Sequence, residues 1–171
     1  MKKAVFLDRD GTINHLILNN KSQSPKTLKN LKLKKNIIKI SKYLKKRNYL
    51  LIMITNQPDF SRGLNTKKNI NEINNFIKRK VNLDDIFVCF SKNDKNFRRK
   101  PNPGMLIEAK KKWNISFKKS YFIGDRDKDI KAGKKVKIKT IFFFDKDNKE
   151  RNQIRSNFQI TSLEQISSII K

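Results

Sequence analysis

The chain has 171 residues, a length that suits one domain with a sizeable core and leaves little room for two. Apolar residues make up 36% and come in blocks, which argues against disorder, and no run approaches the ~18 residues of a membrane span. The net charge of +27 favours anionic partners, a nucleic acid or a phosphorylated substrate. However, the lysines are spread along the whole chain, and the abundance of Lys, Asn and Ile marks most of them as compositional.

The N-terminal "MKKAVFLD" begins like a secretory signal, but only Ala4 to Leu7 are apolar before Asp8, too few for such a segment, so a cytoplasmic protein is expected. That same run, "AVFL" (4–7), reads as a buried parallel strand, and it leads into Asp8-Arg9-Asp10-Gly11-Thr12. Residues 8–32 form a long irregular stretch. Leu33, Ile37, Ile40 and Leu44 then recur at helical spacing, and "YLLIMI" (49–54) is a second strand followed by Thr55-Asn56-Gln57. Thr66 is a candidate cap for a helix carrying Ile70, Ile73, Ile77 and Val81. "IFVCF" (86–90) is a third strand, and 91–104 is a second irregular stretch. Pro103 suits the first turn of a helix with Leu106, Ala109 and Trp113 on one face. "YFI" (121–123) and "KTIFFF" (139–144) are two further strands. Ser162 and Gln165 have capping-box spacing before Ile166, Ile169 and Ile170. Strand alternating with helix predicts βαβ units, hence one α/β domain over 1–171 with a doubly wound, mostly parallel sheet.

In such sheets ligands bind beyond the carboxyl ends of the strands. Three strand ends here deliver Asp8 and Asp10, then Thr55, Asn56 and Gln57, then Asp125, Arg126, Asp127 and Asp129. Two carboxylates two residues apart repel unless something positive sits between them. Asp8, Asp10 and Asp125 can converge on a hard divalent cation, for which Mg²⁺ is the usual choice beside phosphate. At a strand end, residues i and i+2 point the same way, so Asp8 and Asp10 are expected to face one ligand while Arg9 turns away. A carboxylate can attack phosphorus, and a second can protonate the leaving oxygen and then deprotonate the attacking water. A lysine is also needed for the phosphoryl oxygens, and "FRRKPNPG" supplies Lys100 on a loop stiffened by Pro101 and Pro103.

"DRDGT", "ITNQ", Lys100 and "IGDRDKD" closely resemble, in this order, the four motifs of the haloacid-dehalogenase superfamily, over roughly residues 3–145. "FLDRDGTIN", "TNQ…RG", "RKPNPGML" and "GDRDKD" are similar to the small phosphatases acting on D-glycero-D-manno-heptose 1,7-bisphosphate and to the related histidinol-phosphatases. The resemblance implies a Rossmann-like fold without a large cap. It also implies a cytoplasmic hydrolase of carbohydrate metabolism, in heptose supply for lipopolysaccharide precursors. On it, Asp8 is the nucleophile and Asp10 the acid/base. Asp8, the backbone carbonyl of Asp10, and Asp125 hold Mg²⁺. Thr55, Asn56, Gln57, Arg99, Lys100 and Arg126 contact phosphate or substrate, and Asp129 gives support from behind. The family usually carries a Cys/His zinc loop before "RKP". Here "CFSKNDKNFRRK" keeps only Cys89, and one thiol cannot hold structural zinc, so no zinc is expected and Asp94 is expected to pair with a nearby Lys or Arg.

Taken singly, each motif has a plainer explanation. "DRDGT" could be a surface turn, "TNQ" a helix cap, and "GDRDKD" an acidic helix start. Four together in order do not. His15 reads as a loop residue, Cys89 as core and Trp113 as packing. The expected partner is a small phosphorylated substrate, with a sugar bisphosphate first, histidinol phosphate and a polynucleotide 3′-phosphate as alternatives, and no membrane. A nucleic-acid-binding protein with a dead site is disfavoured by intact Asp8, Asp10, Lys100 and Asp125, and a monomer is expected.

Overall fold

The structure, a computed structural model, describes residues 1–18, 22–144 and 153–171. Six strands form one parallel sheet: β1 (Lys3–Leu7), β4 (Tyr49–Asn56), β5 (Asp85–Cys89), β6 (Tyr121–Gly124), β7 (Lys139–Phe143) and β8 (Phe158–Ile160). Their spatial order is β5-β4-β1-β6-β7-β8. A two-stranded antiparallel ribbon, β2 (Ile17–Leu18) with β3 (Ser22–Gln23), stands apart from the sheet in the first irregular stretch. Helices α1 (Ile37–Lys46), α2 (Lys67–Val81), α3 (Gly104–Trp113), α4 (Asp127–Lys135) and α5 (Ile166–Ile169) cover the two faces.

The central strands β1, β4, β6 and β7 are largely apolar because both their faces are buried. Val5, Leu7, Leu51, Met53, Ile123 and Ile141 point to one face, where Ile37, Ile40 and Leu44 of α1, Ile73 and Ile77 of α2 and Ile166 of α5 meet them. Ala4, Phe6, Ile52, Ile54 and Phe122 point to the other, against Met105, Leu106 and Ala109 of α3 and Ala132 of α4. The alternation of successive strand residues between these clusters is the period of two that a pleated strand imposes.

The five sequence-expected strands are present within one or two residues. Thr66 caps α2, its side chain accepting from the Asn69 amide at 3.2 Å. The capping box of Ser162 and Gln165 forms, but it opens a 3₁₀ turn, Leu163–Gln165, that passes into the short α5. The first predicted helix begins at Ile37, four residues after Leu33, with Asn36 in a left-handed conformation before it. β8 has only three residues, two of them exposed, too short for a recognisable pattern. α4 hides behind its acidic start: its first turn carries Asp127 and Asp129, and only Ile130 and Ala132 give it apolar character.

The chain lays β1 in the middle, builds β4 and β5 outward on one side, then crosses to β6, β7 and β8 on the other. The topological switch therefore falls beside the carboxyl end of β1, the position where a crevice opens in sheets of this kind.

Candidate active site

Asp8 follows β1, Asp125 follows Gly124 at the end of β6, and Asp129 lies on the first turn of α4. Each offers a carboxylate oxygen, and these oxygens all lie within 4.8 Å of one another, all three residues being buried. Lys100 reaches them from the irregular segment before α3. Its Nζ donates to Asp8 Oδ1 at 2.5 Å and to the Ile54 carbonyl at 3.0 Å, and pairs with Asp129 Oδ1 at 2.6 Å. Three carboxylates beside one ammonium leave two negative charges in excess, the formal complement of a divalent cation.

The electrostatics of the site express that excess. Burial, with Asp129 and Asp10 nearby, raises the Asp8 pKa to about 6 in spite of Lys100. Burial and the charges of Asp8 and Asp129 raise Asp125 well above the usual carboxylate value. Burial works against the Lys100 ammonium, but Asp129 and Asp8 outweigh it and raise its pKa. The packing needs Gly11, at φ +92°, because a Cβ there would collide with the Asp125 carboxylate.

Asp10 lies beside this group, but its carboxylate is held elsewhere. The Arg9 Nε donates to Oδ1 at 3.1 Å and its second guanidinium nitrogen pairs with Oδ2 at 3.0 Å. Asn14 donates to Oδ1 at 3.0 Å, Gln57 to Oδ2 at 2.7 Å and Ser24 to Oδ2 at 2.9 Å. Burial would raise the Asp10 pKa, but Arg9 and the hydrogen bonds from Arg9, Asn14 and Gln57 lower it overall. Asp8 and Asp10 do face one cavity, as the spacing implied, and Arg9 turns away from it. Arg9 is also what separates the two carboxylates electrically, since its fully buried side chain neutralises Asp10. Five hydrogen bonds hold the Asp10 carboxylate apart from that cluster, whose third carboxylate is Asp129, the residue expected in support.

The cavity has a volume of about 640 Å³. Asp8, Asp10, Lys100 and Asp129 form its floor, buried Arg99 lines it, and Lys26, Arg62, Arg126 and Lys128 make its rim basic. Asn56 lines it and clasps the Lys100 backbone, donating to its carbonyl at 3.0 Å and accepting from its amide at 3.1 Å. Arg99 donates to Asp94 at 2.7 Å and to the Ser91 carbonyl at 2.9 Å. Gln57, expected at the substrate, is turned inward and buried. Its Nε2 donates to Asp10 and to Thr55, and its Oε1 accepts from Arg9 at 2.8 Å, so every polar atom is committed inside the protein. Thr55 is buried behind it.

Hydrogen bonds hold the segment from Cys89 to Asn102. Asn96 Oδ1 accepts from the Arg98 amide at 3.0 Å and from Cys89 Sγ at 3.8 Å. Asn102 Nδ2 donates to the carbonyls of Asp94 and Asn96, each at 3.0 Å. The expected partner of Asp94 is Arg99.

Sequence reasoning gave no role to Asn14, although it closes "FLDRDGTIN", nor to Ser24, which lies in no motif, nor to Asn74, which did leave a signal. Asn74 lies on α2 among Ile70, Ile73 and Ile77, one amide on an isoleucine stripe.

Residues 24–137 match the family of haloacid dehalogenase-like hydrolases, about two thirds of the chain, and the chain belongs to that family. It is 31% identical over 187 aligned positions to the D-glycero-beta-D-manno-heptose-1,7-bisphosphate 7-phosphatase of Pasteurella multocida, covering 100% of this chain and 98% of that one. It is 32% identical over 174 positions to the D-glycero-alpha-D-manno-heptose-1,7-bisphosphate 7-phosphatase of Campylobacter jejuni, covering 99% and 96%. Among solved structures it resembles a D,D-heptose 1,7-bisphosphate phosphatase from B. bronchiseptica complexed with magnesium and phosphate. The TM-score is 0.73 at 23% identity, with 82% of this chain and 80% of that one covered, a likeness of fold.

Proposed function

We propose that this hydrolase is a Mg²⁺-dependent phosphomonoesterase acting on a small sugar bisphosphate through an aspartyl-phosphate. In this reading the preferred substrate is D-glycero-D-manno-heptose 1,7-bisphosphate, cleaved at the 7 position. The observation that carries it is Lys100 held between Asp8 and Asp129, beside Asp125, on the floor of a cavity with a basic rim. The names of its full-length relatives support the substrate.

The oxygen-only donor set fits a hard cation, and Asp8, Asp125 and the Asp10 carbonyl, with Asp129 adjacent, would hold Mg²⁺. When bound, the cation offsets the repulsion between an anionic nucleophile and a phosphoryl group. The rest is the work of the chain. The Asp8 carboxylate attacks phosphorus, forming a new O–P bond as the ester P–O bond breaks, and Asp10, which takes up a proton when the anionic phosphoryl group arrives beside it and opposes the pull of Arg9, gives that proton to the departing sugar oxygen. Lys100 stabilises the charge on the phosphoryl oxygens. Water then attacks phosphorus, Asp10 takes the water proton, the Asp8–phosphorus bond breaks, and phosphate leaves. Arg99, Arg126, Lys26, Arg62 and Lys128 favour a second anionic group on the substrate. A second phosphate suits that rim better than the ammonium of histidinol phosphate.

No helix among the described residues is long and apolar enough to cross a membrane. A cytoplasmic monomer in heptose supply for lipopolysaccharide precursors completes the proposal.

The test is phosphate release over a panel of both anomers of the heptose bisphosphate, histidinol phosphate and a 3′-phosphorylated oligonucleotide. One heptose anomer is expected to give the highest kcat/KM. Preference for histidinol phosphate or for the oligonucleotide would overturn the substrate reading.

A further inference from the structure

Asn74 is hard to explain by stability. It projects from the middle of α2 on the face that buries Ile70, Ile73 and Ile77, and only 3% of it is exposed. An asparagine inside a helix is inferior to an aliphatic residue in propensity, and a buried amide demands partners. Asn74 Nδ2 has no partner among the described residues. An aliphatic residue would remove both costs. What Asn74 does is accept from the Arg9 guanidinium, through Oδ1, at 2.9 Å.

Arg9 is fully buried and splits its donors three ways. One guanidinium nitrogen is held by Asn74, a second by Gln57 Oε1 at 2.8 Å, and Nε is directed at Asp10. Gln57 in turn donates to Asp10 Oδ2 at 2.7 Å and to Thr55 Oγ1 at 2.9 Å. The Asp10 carboxyl is thereby clamped from a helix on one side and from the end of β4 on the other. A planar guanidinium can hold such a fork only if its other nitrogens are fixed. We infer that Asn74, through Arg9 and together with Gln57, is a positioning residue that orients the Asp10 carboxyl for proton delivery to the leaving oxygen. This rests on the acid/base role proposed above for Asp10.

Proton delivery matters in proportion to how poor the leaving group is. A sugar alkoxide needs the proton as the P–O bond breaks, whereas a p-nitrophenolate leaves without it. The experiment compares kcat/KM for the heptose bisphosphate with that for p-nitrophenyl phosphate, in wild type, Asn74→Leu, Asn74→Asp and Asp10→Asn. Asn74→Leu is expected to depress the sugar ester relative to the aryl ester by about tenfold or more, a part of the ~10²–10⁴ that general acid catalysis contributes. The loss should appear in kcat with KM little changed. Asn74→Asp keeps an acceptor oxygen for Arg9 and is expected to restore most of the wild-type ratio. Equal loss on both esters, or none on either, would overturn the inference by reducing Asn74 to a packing residue. If Asn74→Leu does not fold, Asn74→Ser, too short to reach the guanidinium, serves with the same outcomes. Asp10→Asn separates the two claims. Selectivity in Asp10→Asn without selectivity at Asn74 refutes the positioning role alone. Its absence in Asp10→Asn removes the acid/base role, and the inference with it.

Discussion

At the scale of single residues, Lys100 and the three carboxylates around it are the most exposed to test. Removing one member of a buried charged group leaves the others uncompensated. Lys100→Met is therefore expected to cut kcat by ~10³ or more, as loss of a transition-state charge donor does. The same change should also push the Asp8 and Asp125 pKa values further up. Steady-state kinetics beside a titration of thermal stability would check both. The wild-type protein already has a pH signature. A carboxyl whose folded pKa lies above its unfolded value binds its proton more tightly when folded, so its ionisation destabilises the fold. With Asp8 raised from 3.8 to about 6 and Asp125 also raised well above the usual carboxylate value, metal-free protein should lose stability as pH rises from about 4 through about 6. Asp10, whose pKa is lowered, contributes the opposite slope at more acidic pH. Added Mg²⁺ is expected to flatten the decline by stabilising the ionised carboxylates. A metal-free melting temperature that climbs over that window, or that Mg²⁺ leaves unchanged, would contradict this electrostatic picture.

At the scale of elements, legibility followed burial. β1, β4, β6 and β7 are buried on both faces and β5 in part, so their apolar runs stand out against a polar chain, and their ends could be aligned with charged motifs. β8 and the β2–β3 ribbon are short and partly exposed, which leaves no period to read. Side-chain partnerships were the least legible part of the site. Spacing placed Asp8 and Asp10 on one cavity, but that Arg9 would turn back on Asp10, or that Gln57 would be committed inward, depends on what α2 and β4 bring near. The segment before α3 shows the same limit. Cys89 standing alone gave only the expectation of no zinc, whereas the Asn96, Asn102 and Arg99 bonds that hold the segment left no signal in the sequence. Two outcomes are expected there. Purified protein should carry less than stoichiometric zinc by elemental analysis, and activity lost to chelation should return with Mg²⁺ alone. Asn102→Ala, which removes two hydrogen bonds to carbonyls of that segment, should cost about 1–2 kcal/mol in denaturant unfolding and raise KM. Stoichiometric zinc would mean that the segment is clamped by a metal after all.

At the scale of the molecule, a +27 chain folds around a cavity whose floor is acidic and whose rim is basic. Spread charge of this size speeds the encounter with a multivalent anion and is screened by salt. KM for the bisphosphate should rise as ionic strength is taken from ~0.05 M to ~0.5 M, with kcat much less affected. Binding to a DNA duplex should be weak and lost over the same range. The doubly wound sheet places every proposed chemical group beside the switch point at the end of β1, with Asp8 at its centre. The most direct measurement of that role is pre-steady-state hydrolysis of p-nitrophenyl phosphate by Asp10→Asn. An aryl ester needs no proton on leaving, so Asp8 can still be phosphorylated, while loss of the base slows attack by water. An aspartyl-phosphate mechanism predicts a burst of one nitrophenol per enzyme and a phosphoryl group on the Asp8 peptide in the acid-quenched protein. Linear release without a burst, with Asp8 unmodified, would contradict it.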